Sequence, residues 1–264
     1  GFKLSSNYVF RRLVKDNYGE NPEEFTSRLH SYNLGANFDF ELTERGSGKP
    51  SIPDPREKSW SRTSLISSAI GYSVKVTPLQ IATFYNAIAN DGKMMKPYIV
   101  ECTERDGVAE KVNEPMLLNS ICSKATADTL TRALKRVTSD GTAKVLKNAR
   151  CQVAGKTGTS RMYLTPKEQK GSGNPYEDIN GRKKHQGTFV GFFPADNPKY
   201  PAIVTIWSGL TGANFYGGAY PAAAMKDIVD AVWALNDGWG EELTKEGAMP
   251  EMAAKYIETG KDGS

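Results

Sequence analysis

Long hydrophobic runs are missing from this 264-residue sequence. No stretch approaches the roughly 18 apolar residues of a membrane-crossing helix, and the opening GFKLSSNYVF lacks both the length and the small-residue cleavage site of a secretory leader. Cysteine and histidine are also scarce. Cys102, Cys122 and Cys151 are odd in number and widely spaced, which argues against a disulfide framework and a zinc knuckle alike, and His30 and His185 are too few for a metal cluster. No metal is expected. An excess of one charge is likewise absent: 34 basic and 30 acidic residues leave +4, too little to point to nucleic acid. The small excess is uneven, with a basic stretch at 161–186 and an acidic one at 238–264, neither a long enough run of like charge to read as an interaction tail. The chain opens on Gly1 rather than Met, which reads as a piece of something longer and removes any inference about compartment from the missing leader.

What is present is an ordinary globular composition, 39% hydrophobic and 24% charged. A chain of this length can bury about 70–75% of its unfolded surface, enough for a real core. Residues 6 to 15 read as a helix, with apolar positions 9, 10, 13 and 14 behind a Ser6 or Asn7 cap. Residues 35 to 64 are rich in Gly, Pro, Ser and charge and read as a long loop of functional or covering role. TPLQIATFYNAIANDG predicts a second helix: Thr77 caps it, Pro78 opens it, Gln80 completes a capping box, Gly92 ends it, and positions 81, 84, 85 and 88 form its apolar stripe. Residues 93 to 118 read as extended pieces around turns such as Asp106-Gly107, followed by a helix from about Ser123 to Ser139.

The last third reads differently. Residues 151–159, 187–193 and 201–208 are strand candidates, the last two joined as an antiparallel hairpin through PADNPKY. A helix follows over about 221–236, its apolar face drawn from positions 225, 228, 229, 232, 233 and 235. Helices on an antiparallel sheet, an α+β arrangement, accommodate these pieces. Beyond Gly240 the pattern weakens, so residues 1–237 are taken as one folded portion and 238–264 as a polar tail.

Within CQVAGKTGTSR, residues 151 to 161, Lys156 stands between two glycines. A phosphate-binding loop is argued against, because Arg150 occupies the position of its first glycine and no helix follows the lysine. Two readings stay open at these residues: turn residues next to a surface lysine, or a strand edge beside a cleft. Gly155 and Gly158 would keep the strand bare for a ligand, Lys156 would add an exposed charge, and Thr157 and Thr159 would offer hydroxyls to a carboxylate.

At these residues the sequence resembles a known family. Lys156-Thr157-Gly158-Thr159 is similar to the Lys-Thr-Gly-Thr signature of penicillin-binding proteins and serine β-lactamases, and Ser5-Ser6-Asn7, about 150 residues earlier, resembles their Ser-x-Asn signature. The segments GYSVKVTPLQIATFYNAIANDGKMMKP, GTAKVLKNA, FVGFFPADNPKYPAIV and FYGGAYPAAAMKDI resemble the class B, monofunctional transpeptidases, so the likeness runs over about residues 4 to 236. VTPLQIATFYNAIANDGK looks closer to the division-septum type than to the elongation type.

The resemblance implies a penicillin-binding-protein/serine β-lactamase-like fold and serine D,D-transpeptidation of peptidoglycan stem peptides, inhibited by β-lactams, without metal or organic cofactor. It implies that Ser5 relays a proton to or from the leaving amine and that Asn7 holds the substrate's amide. Lys156 tunes the nucleophile and binds the substrate carboxylate with Thr157 and Thr159. The backbone of Gly158 leaves room for substrate, and the Thr159 N–H supplies half of an oxyanion hole. It further implies a parent anchored by an N-terminal helix, with this domain on the extracytoplasmic side among division membrane proteins. Two alternatives stay open: a D,D-carboxypeptidase or β-lactamase using water as acceptor, and a catalytically silent penicillin-recognising module.

One departure from the family pattern is large. No serine in the sequence is followed three positions later by lysine, so the family's Ser-x-x-Lys nucleophile and activating lysine are missing. The chain is therefore expected to be the C-terminal portion of a transpeptidase domain, inactive alone, with its first strands missing. The strand at 201–208 would then have an open edge, and the isolated chain would self-associate. Residues 161–186 are expected to be a solvated insertion, a cover over the cleft or a surface for a polymeric substrate.

Overall fold

The computed structural model describes residues 1–38, 49–236 and 238–239. Two compact units are evident, one ending at Leu130 and the other beginning at Thr131. In the first, helix α1 (Asn7–Tyr18) begins where Ser6 accepts a hydrogen bond from the Val9 N–H, and it runs a turn beyond the expected 6–15. A second helix, α2 (Pro22–Ser31), carries Glu23 and Glu24 in its first turn and Arg28 and His30 in its last, the charge order that opposes the helix dipole. Sequence periodicity alone left it unread. A five-residue helix, α3 (Ser64–Ser68), interrupts the segment read as loop; part of that segment, 39–48, lies outside the described residues.

Helix α4 (Pro78–Ala89) has the expected capping box, with Thr77 and Gln80 bonding reciprocally. Its most buried positions are Gln80, Thr83, Ala87 and Ile88, so of the predicted stripe only Ile88 is fully buried while Ile81, Phe84 and Tyr85 are half-buried. Gln80 is polar yet inside because its amide also donates to the Ala36 carbonyl at 2.6 Å, which satisfies a group that would otherwise be costly to bury. Strands β1 (Lys93–Met95) and β4 (Leu117–Ser120) pair antiparallel, as do β2 (Cys102–Arg105) and β3 (Val108–Val112). The β2–β3 turn is Asp106-Gly107, with φ of 52° and 78°, the two left-handed residues that a tight hairpin needs.

Helix α5 (Lys124–Ser139) crosses from the first unit into the second, whose sheet has the order β5 (Ala154–Met162), β6 (Lys184–Phe193), β7 (Tyr200–Trp207), antiparallel throughout. The central strand reads as a continuous apolar run because both of its faces are covered: Phe189, Val190, Phe192 and Phe193 are all buried. One cover is helix α7 (Tyr220–Ala234), which packs on β6 and β7 through Pro221, Ala222, Met225 and Val229. Ile228 and Leu235, assigned to that face from the sequence, are exposed instead, since the sheet takes only a narrow stripe of the helix. Trp239 is buried against Tyr200 and Trp233; residues 240–264 of the tail lie outside the described residues.

The strand bounds here differ from expectation: β5 begins at Ala154 rather than at residue 151, and β6 at Lys184 rather than at residue 187. The ladder between β5 and β6 continues past Thr159 through Ser160, Arg161 and Met162, opposite Gln186, His185 and Lys184, because backbone pairing needs a partner strand rather than an apolar pattern. The connection between them is not merely a solvated insertion. It contains helix α6 (Pro166–Gln169), opened by a Thr165–Glu168 capping box, and it buries Leu164 and Asp178. The Asp178 carboxylate accepts from the Asn180 and Arg182 amides and, at 2.8 Å, from the Arg182 guanidinium. Glu168 pairs with Lys184, and Glu177 with Lys183. Among the described residues no helix is long and apolar enough to cross a membrane.

Candidate active site

Among the described residues strand β5 pairs on one side only, with β6, so alternate backbone N–H and C=O groups along it face away from the described sheet. Its alternation divides the signature residues. Lys156 and Gly158 take one face, and Gly155, Thr157 and Thr159 the other, with the unpaired edge between them.

The two flanking glycines do different jobs. A Cβ at Gly155 would lie 2.4 Å from the Phe189 ring and 2.7 Å from the Val190 carbonyl oxygen, so its bareness is used by the core and not by a ligand, contrary to expectation. At Gly158 the nearest atom to such a Cβ is 3.9 Å away, and the residue is exposed. Gly158 is therefore the position that leaves room beside Lys156 for an incoming group.

Lys156 is half-buried rather than exposed. Burial, which disfavours the charged form, brings its ammonium down from 10.5 to about 8, and Nζ donates to the Thr157 carbonyl at 3.1 Å. Such a lysine is still mostly cationic at neutral pH, so it can pair with a carboxylate that reaches it.

The threonine face is held by two loops. From the end of α5, Thr142 brings its hydroxyl within 2.7 Å of that of Thr157. Ahead of α7, the Gly217 N–H donates to Thr159 Oγ1 at 2.9 Å. Gly217 lies against the sheet so closely that an added Cβ would come within 2.2 Å of the Gly158 carbonyl oxygen, and Phe215 sits next to it over Gly187. Phe215 is in turn stacked on Tyr220 and His185, with ring centroids 5.1 and 6.3 Å apart. The start of β5 is fixed by the Thr138 hydroxyl, which donates to the Val153 carbonyl at 2.6 Å. Thr142, Gly217 and Phe215 were not named from the sequence as site residues, although they fall in the quoted segments GTAKVLKNA and FYGGAYPAAAMKDI.

Ser5 and Asn7 belong to the first unit, at the head of α1. Ser5 has φ of 52°, an uncommon conformation for a residue with a side chain, and Asn7 is exposed in the first helical turn. Ser6, between them, does the capping. The structure thus gathers Lys156, Thr157, Gly158 and Thr159 on one strand and places Ser5 and Asn7 on a separate element.

Among the described residues there is no group of three metal-ligating side chains. Cys151 is buried, which pushes its thiol up to about 12, with Asp230 adding to the effect, so it is no nucleophile at neutral pH.

A conserved-domain description, the penicillin binding protein transpeptidase domain, matches residues 1–230. The chain belongs to this family. Penicillin-binding protein PbpB of Mycolicibacterium smegmatis is 31% identical over 222 residues, which cover 81% of this chain and 32% of that protein. The probable peptidoglycan D,D-transpeptidase PbpC of Pseudomonas aeruginosa is 30% identical over 178 residues, 66% of this chain and 27% of that protein. Among solved structures, the apo transpeptidase domain of penicillin-binding protein 3 from Burkholderia pseudomallei aligns with a TM-score of 0.64 at 26% identity, covering 88% of this chain and 62% of that one. The α+β penicillin-binding-protein fold expected from the sequence is the fold observed. The chain spans about a third or less of the length of these curated relatives. Relatives of both the division and elongation kinds match, so membership is in the class B transpeptidase-like group as a whole and not in its septal branch alone.

Proposed function

We propose that the intact protein is a peptidoglycan D,D-transpeptidase in which this chain supplies the carboxylate-binding strand. A serine oxygen attacks the penultimate D-Ala carbonyl of a stem peptide, and the bond to the terminal D-Ala breaks as that amine takes up a proton. An amine of a neighbouring stem then displaces the serine. Lys156 with Thr157 and Thr159 binds the terminal carboxylate, Gly158 leaves room for it, and the Thr159 N–H helps to hold the developing oxyanion. Ser5 relays the proton and Asn7 holds the substrate amide. The 264 residues contain no Ser-x-x-Lys, so the reading draws the acylated serine from elsewhere in the intact protein and makes this chain alone inactive.

The observation that carries the proposal is Lys156: a lysine brought to about 8 by burial, on an open strand edge, next to a glycine with free space and two threonine hydroxyls. The test is acylation of the full-length protein by a fluorescent penicillin. Lys156→Ala should slow it by about 100-fold or more. Unchanged kinetics would remove Lys156 from the site, and a full-length protein that is never acylated would make this a silent penicillin-recognising module. The 264-residue chain alone should take up no label.

Finer features belong to the same reading. Residues 1–237 form the transpeptidase portion, on the extracytoplasmic face, with the membrane anchor and division partners supplied by the parent protein. A septal role is supported by VTPLQIATFYNAIANDGK and predicts that depletion blocks septation before elongation.

A further inference from the structure

The Thr142 and Thr157 hydroxyls, 2.7 Å apart, share one hydrogen bond whose donor the distance alone leaves open. A hydroxyl has one proton and two acceptor lone pairs, so the direction decides what Thr157 can do. If Thr157 donates to Thr142, its proton is spent and it turns only lone pairs toward an anion. If Thr142 donates, Thr157 accepts, and its own proton is available. Thr159 is already in the second condition, since its oxygen accepts from the Gly217 N–H. Two adjacent hydroxyls that both accept from the protein can both donate outward, and bonds of that kind to a carboxylate are about twice as strong as neutral ones. Each is reinforced by the bond behind it.

The position of Thr142 is well fixed. Its loop closes α5 through the Ala143 N–H bonding the Val137 carbonyl at 3.0 Å. Its own carbonyl abuts Gly218, where an added Cβ would fall 2.0 Å from the oxygen and 3.6 Å from the Thr157 methyl. The loop after α5 and the loop before α7 therefore meet behind Thr157.

We propose that Thr142 is a positioning residue that orients the Thr157 hydroxyl as a donor to the substrate carboxylate, matching what the Gly217 N–H does for Thr159. This rests on the carboxylate-binding role proposed above for β5.

The test uses the full-length protein and ligand-observed NMR, which reads noncovalent occupancy, with N-acetyl-D-alanyl-D-alanine and its C-terminal amide as probes. Wild type should prefer the acid. Thr142→Val, which removes the hydroxyl and keeps the shape, should cut that preference about tenfold, and Thr142→Ser should restore it. Should the valine variant not fold, Thr142→Ala removes the same hydroxyl with less bulk. A purely structural role would weaken acid and amide equally. That result, an undiminished preference in the hydroxyl-lacking variants, or no acid preference in wild type would each overturn the assignment. Penicillin labelling of the wild type reports separately on acyl transfer: no label with the acid preference and its Thr142 dependence intact would sink the transpeptidase reading and leave Thr142 standing.

Discussion

Replacing Gly217 with alanine perturbs the site at its tightest point. The new Cβ would stand 2.2 Å from the Gly158 carbonyl oxygen and 2.6 Å from that of Thr188, both backbone atoms of paired strands that cannot turn aside. Ordinary carbon–oxygen contact requires the loop to lift by about 1 Å, and overpacking of this kind costs about 1–3 kcal/mol. Lifting also breaks the 2.9 Å bond from the Gly217 N–H to Thr159, worth about 1 kcal/mol. Together they amount to about 2–4 kcal/mol, or a drop of about 5–15 °C in Tm for a domain of this size. The control lies in the same loop: a Cβ at Gly212 meets nothing within 4 Å, so Gly212→Ala should stay within about 0.5 kcal/mol of wild type. Thermal melts of the full-length variants provide the comparison, and penicillin labelling of Gly217→Ala should fall along with its Tm. If Gly217→Ala melts within a degree of Gly212→Ala, the loop is not pinned to the strand and the account of Thr159 fails with it.

Lys156→Met gives a pH-dependent outcome. With a folded value of about 8 against an ordinary 10.5, the unfolded chain holds more protons between those limits, so the wild type gains stability as pH rises through that window. The methionine variant lacks this gain and should be relatively most stable below pH 8; a Tm difference that does not change from pH 7 to 10 would refute it. Asp178→Asn weakens the carboxylate's bonds to Arg182 and should open residues 163–183 to limited proteolysis while β5 stays protected, whereas an unchanged digestion pattern would show that the ion pair does not hold the connection. Strand β7 has one unpaired edge among the described strands, with Tyr200 and Trp207 exposed, so the isolated 264-residue chain should self-associate. Sedimentation velocity across a hundredfold concentration range tests that, a strictly monomeric species being the contrary result.

Local chemistry made several elements legible. Thr77, Pro78 and Gln80 carry a complete helix start within four residues, and Asp106-Gly107 a complete hairpin turn, because each depends on contacts that close within a few bonds. The same start signal at Thr165, Pro166 and Glu168 passed unread, since its helix lasts four residues before Lys170 and Gly171 turn to positive φ and no apolar period can develop. The ends of β5 were misjudged for another reason. Ser160, Arg161 and Met162 show no strand-like alternation, and they extend the sheet only because β6 lies alongside them.

At the site the division is sharper. The sequence by itself determined which groups are present: one lysine, two hydroxyls and two glycines in an order that resembles a single family. Only the tertiary structure decided their states. Gly155 and Gly158 are chemically identical, yet one is filled by the Phe189 ring and the other faces open space. Lys156 is an ordinary lysine until burial lowers its affinity for a proton. Thr142 stands 15 residues from Thr157, and nothing local joins them. Their hydroxyls meet because α5 delivers one and β5 the other, and a hydrogen bond between distant residues exists only once the packing of both elements has brought its two oxygens to 2.7 Å.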